Sequence, residues 1–511
     1  MPSKKPSLKL NAISNWATMI FDIVLGFVLT PLIIRHVGKS GYGIWTLVSS
    51  FLGYYGLLNI GVESAMTRYV SRYAGRKDQD AVNRTVSTAM AMFCSTGILA
   101  LGLSVVLADP LTHFFKVSPD QVDNFRHIVM LLGLATAIGF PSGVLTATLV
   151  AHERFIVANS VHFGAAALRA GMIVVLLLRG GGLRSVALAT VVCQASSLLV
   201  NAMVLRRCTP DLRIRHSLAR LGLLKTLLSF GTAALVIRVT GILRVNLDSV
   251  VIGKWVGLSA VGVYGVAALL KRHAFRLVIR GTSVLGPRFA ALDGAGEHEK
   301  ARLLLQRGLA LAGFLSFGSG LMLLSFGGHF IHLWAGPGFE EAVVILRILT
   351  VCTAVAVAQN PAIVFLYSLN KHYWYAAVTM GEAIANVALS ITLVFKYGIV
   401  GVALGTMIPM LLVKVIVMPL YVSRIAGLSV AAYVRPLLPS LAAAAVLQAA
   451  VYASGIVTGP TPTIVSLLLY GLITGGLYTA AGYFLVIRPY GLVSGRNRKG
   501  SLAAAQSGLT V

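Results

Sequence analysis

Acidic residues and cysteines are both scarce in this chain of 511 residues. It carries 16 Asp and Glu against 43 Lys and Arg, and it has only 4 Cys. The cysteines have no paired spacing, which argues against a disulfide framework or a metal site. The Gly-rich phosphate loop GxxxxGK[ST] is also absent from the sequence. A built-in ATPase is therefore not expected.

Long polar regions are missing as well. Hydrophobic residues make up 57% of the chain and charged residues 12%, and the mean hydropathy is +0.83. This composition is typical of a polytopic membrane protein. The net charge of +27 does not indicate a nucleic-acid partner, because lipid-length apolar segments fill most of the chain. The longest predicted outside loop, residues 108–126, has no room for a catalytic ectodomain, so we do not expect an enzyme.

The apolar runs predict fourteen membrane-spanning helices. Lys and Arg concentrate in alternate loops, which places both termini in the cytoplasm. Lys4, Lys5 and Lys9 precede the first run, which has no small-residue cleavage site, so we expect a retained first helix. The predicted spans are 14–34, 43–63, 85–107, 127–150, 156–178, 185–205, 226–250, 259–282, 303–326, 341–367, 374–395, 399–422, 437–457 and 464–487.

An internal repeat organises these helices. Residues 42–45 (YGIW) align with residues 261–264 (VGVY), and Pro141 aligns with Pro361. Six spans separate the copies, so the two bundles run in the same direction. We expect an all-α fold with two parallel six-helix lobes. Its parts are the N-lobe (1–205), a basic cytoplasmic linker (206–225) forming an interfacial amphipathic helix, the C-lobe (226–422), two extra helices (423–490) and a basic cytoplasmic tail (491–511).

The eighth predicted span contains a row of cations. Arg272, Arg276 and Arg280 recur at every fourth position and share one helical face, with Lys271 beside them. At 1.5 Å per residue, Arg272 lies roughly 15 Å into a hydrocarbon core about 30 Å thick. An arginine there costs about 2.5 to 3.5 kcal/mol, so the row must line a wet cavity or bind anions. The alternative, a helix that ends at Leu270, leaves too few apolar residues to cross the membrane.

Other cations occur in the predicted spans. Arg238 in the seventh span and Arg169 in the fifth lie at mid-depth, and we expect them to face the same cavity. Arg307 and Arg347 lie within two turns of helix ends, where their side chains can reach the membrane surface. Pro141 and Pro361 are expected to kink their helices.

Three carboxylates are candidates for ion coupling. Asp22 and Glu382, in the first and eleventh spans, suit either proton or sodium coupling or simple pairing with Arg238 or Lys414. Asp248 is the third candidate, or it forms a structural salt bridge with the arginine one turn before it. No other cofactor is expected.

Aromatic and amide side chains in the N-lobe are candidates for sugar contacts. Tyr54, Tyr55 and Asn59 lie within the second predicted span. Trp45 and Tyr264 either stack on sugar rings or anchor their helices at the membrane surface.

The opening of each half resembles a known family. The segment IIRHVGKSGYGIWTLVSSFLGYYGLLNIGVESAMTRYVSRYAGRKDQDA (33–81) is similar to the start of Wzx-type polysaccharide flippases. The segment LDSVVIGKWVGLSAVGVYGVAALL (247–270) resembles the opening of their C-lobe. These proteins form the polysaccharide transporter branch of the multidrug/oligosaccharidyl-lipid/polysaccharide superfamily. The resemblance covers residues 10–425 and includes the number of helices.

The resemblance implies a bacterial inner-membrane flippase. Such a protein moves a polyprenyl-pyrophosphate-linked oligosaccharide outward by alternating access, for O-antigen, capsule or exopolysaccharide synthesis. Its partners would be the lipid-linked oligosaccharide, membrane lipids, and a polysaccharide polymerase with its chain-length regulator. A cationic central cavity is typical of the superfamily. Here the matching positions are Arg238 and the row on the eighth helix, and the N-lobe offers Asp22 instead.

Rival functions remain open from the sequence. A lipid II or teichoic precursor flippase shares the anionic headgroup. A multidrug exporter of the same superfamily should have an acidic and aromatic site, whereas this one is basic. A ligase or polymerase that uses the same lipid-linked sugar would need a sizeable outer loop. A purely structural membrane scaffold gives no reason for arginines at mid-membrane.

Overall fold

The described chain is entirely helical in its regular elements. The structure is a computed structural model that describes residues 8–59, 62–220, 222–224, 239, 241–242, 246–456 and 463–491. No strand occurs in these residues. Helices satisfy all their backbone polar groups internally, as a hydrocarbon environment requires. Nine helices in the described residues are long and apolar enough to cross a membrane. The predicted all-α polytopic membrane protein is confirmed.

The described residues of the first half form seven long helices and two short 3-10 turns. The turns span Tyr54–Asn59 and His216–Leu218. The helices are α1 (Leu8–Gly53), α2 (Val62–Gly75), α3 (Gln79–Phe114), α4 (Pro119–Ala151), α5 (Phe155–Leu178), α6 (Leu183–Cys208) and α7 (residues 246–255).

In the second half, the part of the chain that the structure describes forms ten further helices. Two π-helical turns, Val413–Val417 and Tyr483–Ile487, follow α13 and α17. The helices are α8 (Leu258–Ser283), α9 (Gly286–Gly294), α10 (His298–Ala335), α11 (Glu340–Ala358), α12 (Asn360–Ser368), α13 (Tyr373–Leu412), α14 (Met418–Ala426), α15 (Val430–Val434), α16 (Leu438–Ala453) and α17 (Ile464–Gly482).

Two glycines separate predicted spans that are otherwise continuous. Gly38 has a φ of 70° inside α1, between the first and second predicted spans. Gly398 has a φ of 55° inside α13, between the eleventh and twelfth. Both conformations strain any residue with a Cβ atom. Each glycine therefore interrupts the helix without a long loop.

The two predicted proline kinks differ. Pro361 follows a real break, because α11 ends at Ala358 and α12 begins at Asn360. Pro141 lies inside α4, which stays helical from Pro119 to Ala151. Pro141 therefore removes one backbone hydrogen bond without ending the helix.

The basic linker is not the amphipathic helix that the sequence predicts. After α6 the chain from Thr209 to Arg220 is irregular, apart from the short 3-10 turn. Backbone amides of Arg213 and Arg220 donate to side chains of α3, namely Asn83 Oδ1 at 2.9 Å and Thr88 Oγ1 at 3.0 Å. These bonds replace the helical ones, because the amides find partners on a neighbouring helix instead.

The chain divides into two compact units. The first comprises Met1–Leu270, Ile331–Ile345 and Ala376–Pro409, and the second comprises Lys271–Phe330, Leu346–Tyr375 and Met410–Val511. The first unit contains a core of small and apolar side chains shared by α2, α3 and α4, including Met66, Val86 and Val144. The second unit buries Phe289 against Phe365, with ring centroids 5.2 Å apart. The predicted division into N-lobe, C-lobe and extra helices stays a prediction.

Candidate functional site: a cation row and a buried carboxylate

The cation row lies on one continuous helix. α8 extends from Leu258 to Ser283, so the alternative of a helix that ends at Leu270 is wrong. With 26 residues it is long enough to span a membrane, yet its cations make it too polar to count among the nine apolar spans.

The row occupies the accessible side of this helix. Within the second unit, Arg272 and Arg280 are exposed, and Lys271 and Arg276 are half-buried. The side turned away from the row is packed and contains Phe275, Val278 and Thr282, all buried, and His273 is buried beside the row. Like charges can remain this close only while water or anions reach them. The row therefore presents its guanidinium groups where a ligand can reach them.

The break before Pro361 helps to hold this helix in place. Asn360, the first residue of α12, donates from Nδ2 to Thr282 Oγ1 on the packed face of α8, at 2.6 Å. Tertiary bonds of this kind fix the rotation of α8 within the second unit. The predicted kink thus orients the cation row.

Asp248 is the centre of a buried polar cluster in the first unit. Its side chain on α7 is buried, as are those of its hydrogen-bonding partners. Tyr264 donates its hydroxyl to Asp248 Oδ2. Thr406 Oγ1 lies 3.2 Å from both carboxylate oxygens. Asn386 Nδ2 donates to Thr406 Oγ1 at 3.2 Å, and Ser390 Oγ donates to Asn386 Oδ1 at 3.0 Å.

Glu382 shares a helix face with this cluster. Thr379, Glu382, Asn386 and Ser390 recur every three or four residues along α13, and all four are buried. The sequence identified Asp248 and Glu382 but missed Asn386, Ser390 and Thr406. Their signal was visible as polar side chains at helical spacing within an apolar run. Tyr264 is buried against Asp248, which fits neither of the two roles considered for it, stacking on a sugar ring or anchoring at the membrane surface.

Asp22 is not a lone carboxylate. His162 on α5 places Nε2 3.1 Å from Asp22 Oδ1 on α1, and the Asp22 side chain is 28% exposed. One turn earlier on α5, Asn159 Nδ2 donates to Ser14 Oγ at 2.8 Å. The pair belongs to a polar contact between α1 and α5. The sequence did not identify His162.

Lys414 is fully enclosed in the second unit. It is 1% exposed and lies in the π-helical turn after α13. Its Nζ donates to Tyr375 Oη at 3.0 Å and lies 4.8 Å from the centre of that ring. Gln359 Nε2 donates to the Lys414 carbonyl at 2.9 Å, a group that a π turn leaves poorly bonded. Tyr375 is therefore a partner of Lys414 that the sequence analysis did not predict.

The remaining predicted residues are scattered. Arg169 is half-buried on α5, and its Nε has no hydrogen-bond partner. Arg347 on α11 is likewise half-buried with an unbonded Nε, which does not match a side chain extended to the membrane surface. Arg238, Arg244 and the side chain of Asn59 lie outside the described residues.

The two predicted sugar-contact tyrosines have different surroundings. Tyr55 is buried, and its hydroxyl lies 3.1 Å from Ser104 Oγ on α3. The Tyr54 hydroxyl has no hydrogen-bond partner. Both rings contact Phe51, with centroids 6.3 Å away. Tyr55 thus has a structural role, and a sugar contact for either residue stays a prediction.

A multi-pass helical bundle with a cation row and a buried carboxylate defines a membrane transporter. A family model described as Polysaccharide biosynthesis protein (Polysacc_synt) matches residues 8–292, more than half of the chain. The chain belongs to this family.

Known proteins resemble the chain over most of its length. EpsK of Bacillus subtilis (strain 168), described as an uncharacterized membrane protein, is 22% identical over 85% of this chain and 87% of its own. A Shigella flexneri protein described as "Putative O-antigen transporter" is 20% identical over 79% of this chain and 94% of its own. Among solved structures, the lipid II flippase MurJ in an inward closed conformation matches with a TM-score of 0.73 at 13% identity, covering 93% of this chain and 99% of its own.

Proposed function

We propose that this protein flips a polyprenyl-pyrophosphate-linked oligosaccharide outward across the bacterial inner membrane by alternating access. The observation that carries this proposal is the cation row on α8. Pyrophosphate accepts planar, bidentate hydrogen bonds from guanidinium groups, and its charge offsets their mutual repulsion. A neutral sugar needs no such row. The similarity to a protein described as an O-antigen transporter supports the same cargo class.

The row has the spacing for two phosphates. Side chains one helical turn apart are separated by about 5.4 Å along the axis, so neighbouring guanidinium groups can each bind one phosphate of a pyrophosphate. Arg272 and Arg276 bind the pyrophosphate, with Lys271 and Arg280 beside them. Arg169, whose Nε has no partner, and Arg238 are proposed as further ligands of the pyrophosphate.

The buried carboxylate cluster is the proposed coupling site. The Tyr264 and Thr406 hydroxyl groups that donate to the Asp248 carboxylate also have lone pairs for a cation. One carboxylate with neutral oxygens suits a proton or a sodium ion, because a second charge would bind it too tightly to release during transport. Glu382 extends the same polar face. Asp22, paired with His162, is the alternative site for a proton.

Both termini are cytoplasmic in this proposal, and a polysaccharide polymerase with its chain-length regulator would receive the flipped unit. The protein acts as a transporter and not as an enzyme.

Lipid II or a teichoic precursor is the second candidate cargo, favoured by the fold shared with a lipid II flippase. The basic row disfavours a hydrophobic cation as cargo.

Mass spectrometry of lipid that copurifies with the protein tests the cargo. We expect a polyprenyl-pyrophosphate oligosaccharide in the wild type and its depletion in Arg272→Ala, while Arg307→Ala, an exposed arginine on α10, retains it. A peptide-bearing lipid would select the second candidate. A small hydrophobic cation held equally by all three proteins would refute the proposal.

A further inference from the structure

Two helices of the first unit meet backbone to backbone. A Cβ atom added at Gly43 on α1 would overlap the carbonyl oxygen of Leu258 and lie 3.2 Å from the amide nitrogen of Gly262. A Cβ atom added at Gly262 on α8 would lie 2.5 Å from the carbonyl oxygen of Lys39 and 3.2 Å from the amide nitrogen of Gly43. Only glycine permits this approach at either position.

The contact is reciprocal between the two repeats. Aligning residues 42–45 with 261–264 pairs Gly43 with Gly262 and Lys39 with Leu258. Each glycine therefore faces the repeat equivalent of its own neighbour. Thr46 aligns with Gly265, and these residues also touch, because a Cβ atom at Gly265 would lie 2.9 Å from Thr46 Cγ2. Such a self-complementary contact is the intramolecular counterpart of a two-fold interface, with the repeat axis passing through it.

The contact of Gly43 with Gly262 is called the crossing below. A tryptophan packs against α1 near it. Pro31 lacks an amide hydrogen, so the helix offers no partner to the carbonyl oxygen of Phe27, four residues earlier. Trp334, in the last turn of α10, donates its indole N–H to that oxygen at 2.7 Å. The rings of Trp334 and Phe27 also meet edge to face, with centroids 5.7 Å apart. The kinked helix is thus held by a side chain from the other repeat.

Lys39 makes further contacts at the same end of the crossing. Its Nζ lies 5.5 Å from the centre of the Phe339 ring. Gly338 has a φ of 83°, and a side chain there would overlap the Lys39 ammonium group. These contacts are one hydrogen bond, one cation–π contact and apolar packing. Breaking these contacts leaves no buried charge without a partner, so the two helices can separate and come together again.

We propose that the crossing of Gly43 with Gly262, braced by Trp334, is the outer gate of the transporter. This inference rests on the proposed alternating access and on the predicted topology, which places the loop between the first two spans outside. Backbones in contact leave no path for a sugar between them. Cargo leaves outward only when the two glycines part, and the close glycine contact restores the seal afterwards.

A reversible disulfide across the crossing tests the gate. The Cβ position at Gly265 lies 3.5 Å from Thr46 Cβ, within the range of about 3.5–4.5 Å that a disulfide needs. The double variant Thr46→Cys/Gly265→Cys is made with Cys94, Cys193, Cys208 and Cys352 replaced by serine. Copper phenanthroline should crosslink it in native membranes. Transport should then fall about tenfold or more and recover with dithiothreitol.

The two single-cysteine variants control for oxidation and should transport equally with and without oxidant. Undiminished transport by the crosslinked double variant would overturn the proposal, and so would a double variant that fails to crosslink while it is inserted and active.

A second variant tests the gate without any cargo. Gly262→Val should hold the crossing open, whereas Gly102→Val on α3, where nothing lies within 4 Å of a Cβ atom, should not. The reporter is Leu47→Cys, at a fully buried position. Labelling by an impermeant maleimide from outside should rise about tenfold with Gly262→Val and stay unchanged with Gly102→Val.

Equal labelling of the two valine variants refutes the gate. Labelling and crosslinking need no knowledge of the cargo, so a gate that works in a protein carrying another lipid would refute only the proposed function.

Discussion

The α8 cation row and the Asp248 cluster differ in how their charges are stabilised. The row leaves Arg272 and Arg280 exposed, with several like charges on one helix. The cluster buries one carboxylate and surrounds it with hydroxyl and amide groups. Charges that keep their water tolerate like neighbours, whereas a buried charge needs a hydrogen-bond partner for each lone pair. This difference separates charges that a ligand can reach from a carboxylate that already has its partners within the protein.

The largest expected effect is at the row. Arg272→Ala and Arg276→Ala, made separately, should each abolish surface polysaccharide while the protein inserts at normal levels. A lost charge-assisted bidentate contact costs about 1.5–3 kcal/mol, roughly ten- to a hundredfold in binding. Polymer per cell, normalised to protein in the membrane, is the measurement. Arg307→Ala is the matched control, and normal polymer with either row variant would show that the row is not the binding site.

A substitution in the buried cluster should impair ion coupling and leave cargo binding unchanged. Asp248→Asn keeps the shape and one acceptor oxygen for Tyr264 and Thr406 but removes the charge. Flipping in reconstituted vesicles should then lose its stimulation by a proton or sodium gradient, with cargo binding kept. Asp293→Asn, an exposed aspartate on α9, should retain full stimulation. A gradient response unchanged in Asp248→Asn but lost in Asp22→Asn would move the coupling site to the Asp22–His162 pair.

The smallest effect is expected at a solvated ion pair. Arg184 hydrogen-bonds Asp123 near the start of α4, which holds the pKa of that carboxyl below its usual value. Because the folded pKa is lowered, the pair stabilises the fold above a pH of about 4 and loses its effect as the pH falls further. Asp123→Asn should lower the melting temperature by about 1 °C or less at pH 7. The exposed Asp120→Asn is the control, and a larger loss at pH 7 would show that the pair is not a weak surface contact.

The fold was largely predictable because its signals are local. Apolar runs of lipid length follow from the backbone bonding that a bilayer demands, and α8 matches its predicted span closely. Helix ends were less predictable. α3 and α4 begin well before their predicted spans, because a helix can continue into water as long as its residues favour it.

The charged residues of the site were predictable from the sequence, whereas their hydrogen-bonding partners were not. Arg272, Arg276, Asp248 and Glu382 are conspicuous in apolar segments. Thr406, which bonds to Asp248, and Asn386, which bonds to Thr406, are neutral polar residues that look ordinary in a membrane helix. The linker was mispredicted for a similar reason, since its amides bond to α3, more than a hundred residues earlier.

By itself, the sequence determined that this protein is a helical membrane transporter, and it predicted two related halves and a row of cations at mid-membrane. Those features depend on composition and on spacing along one helix. The tertiary structure alone decided that Gly43 meets Gly262, that Trp334 bonds to the carbonyl of Phe27, and that Asp248 is enclosed by residues of α8 and α13. Each of these contacts joins segments far apart in the chain, and only their packing in the folded protein brings them together.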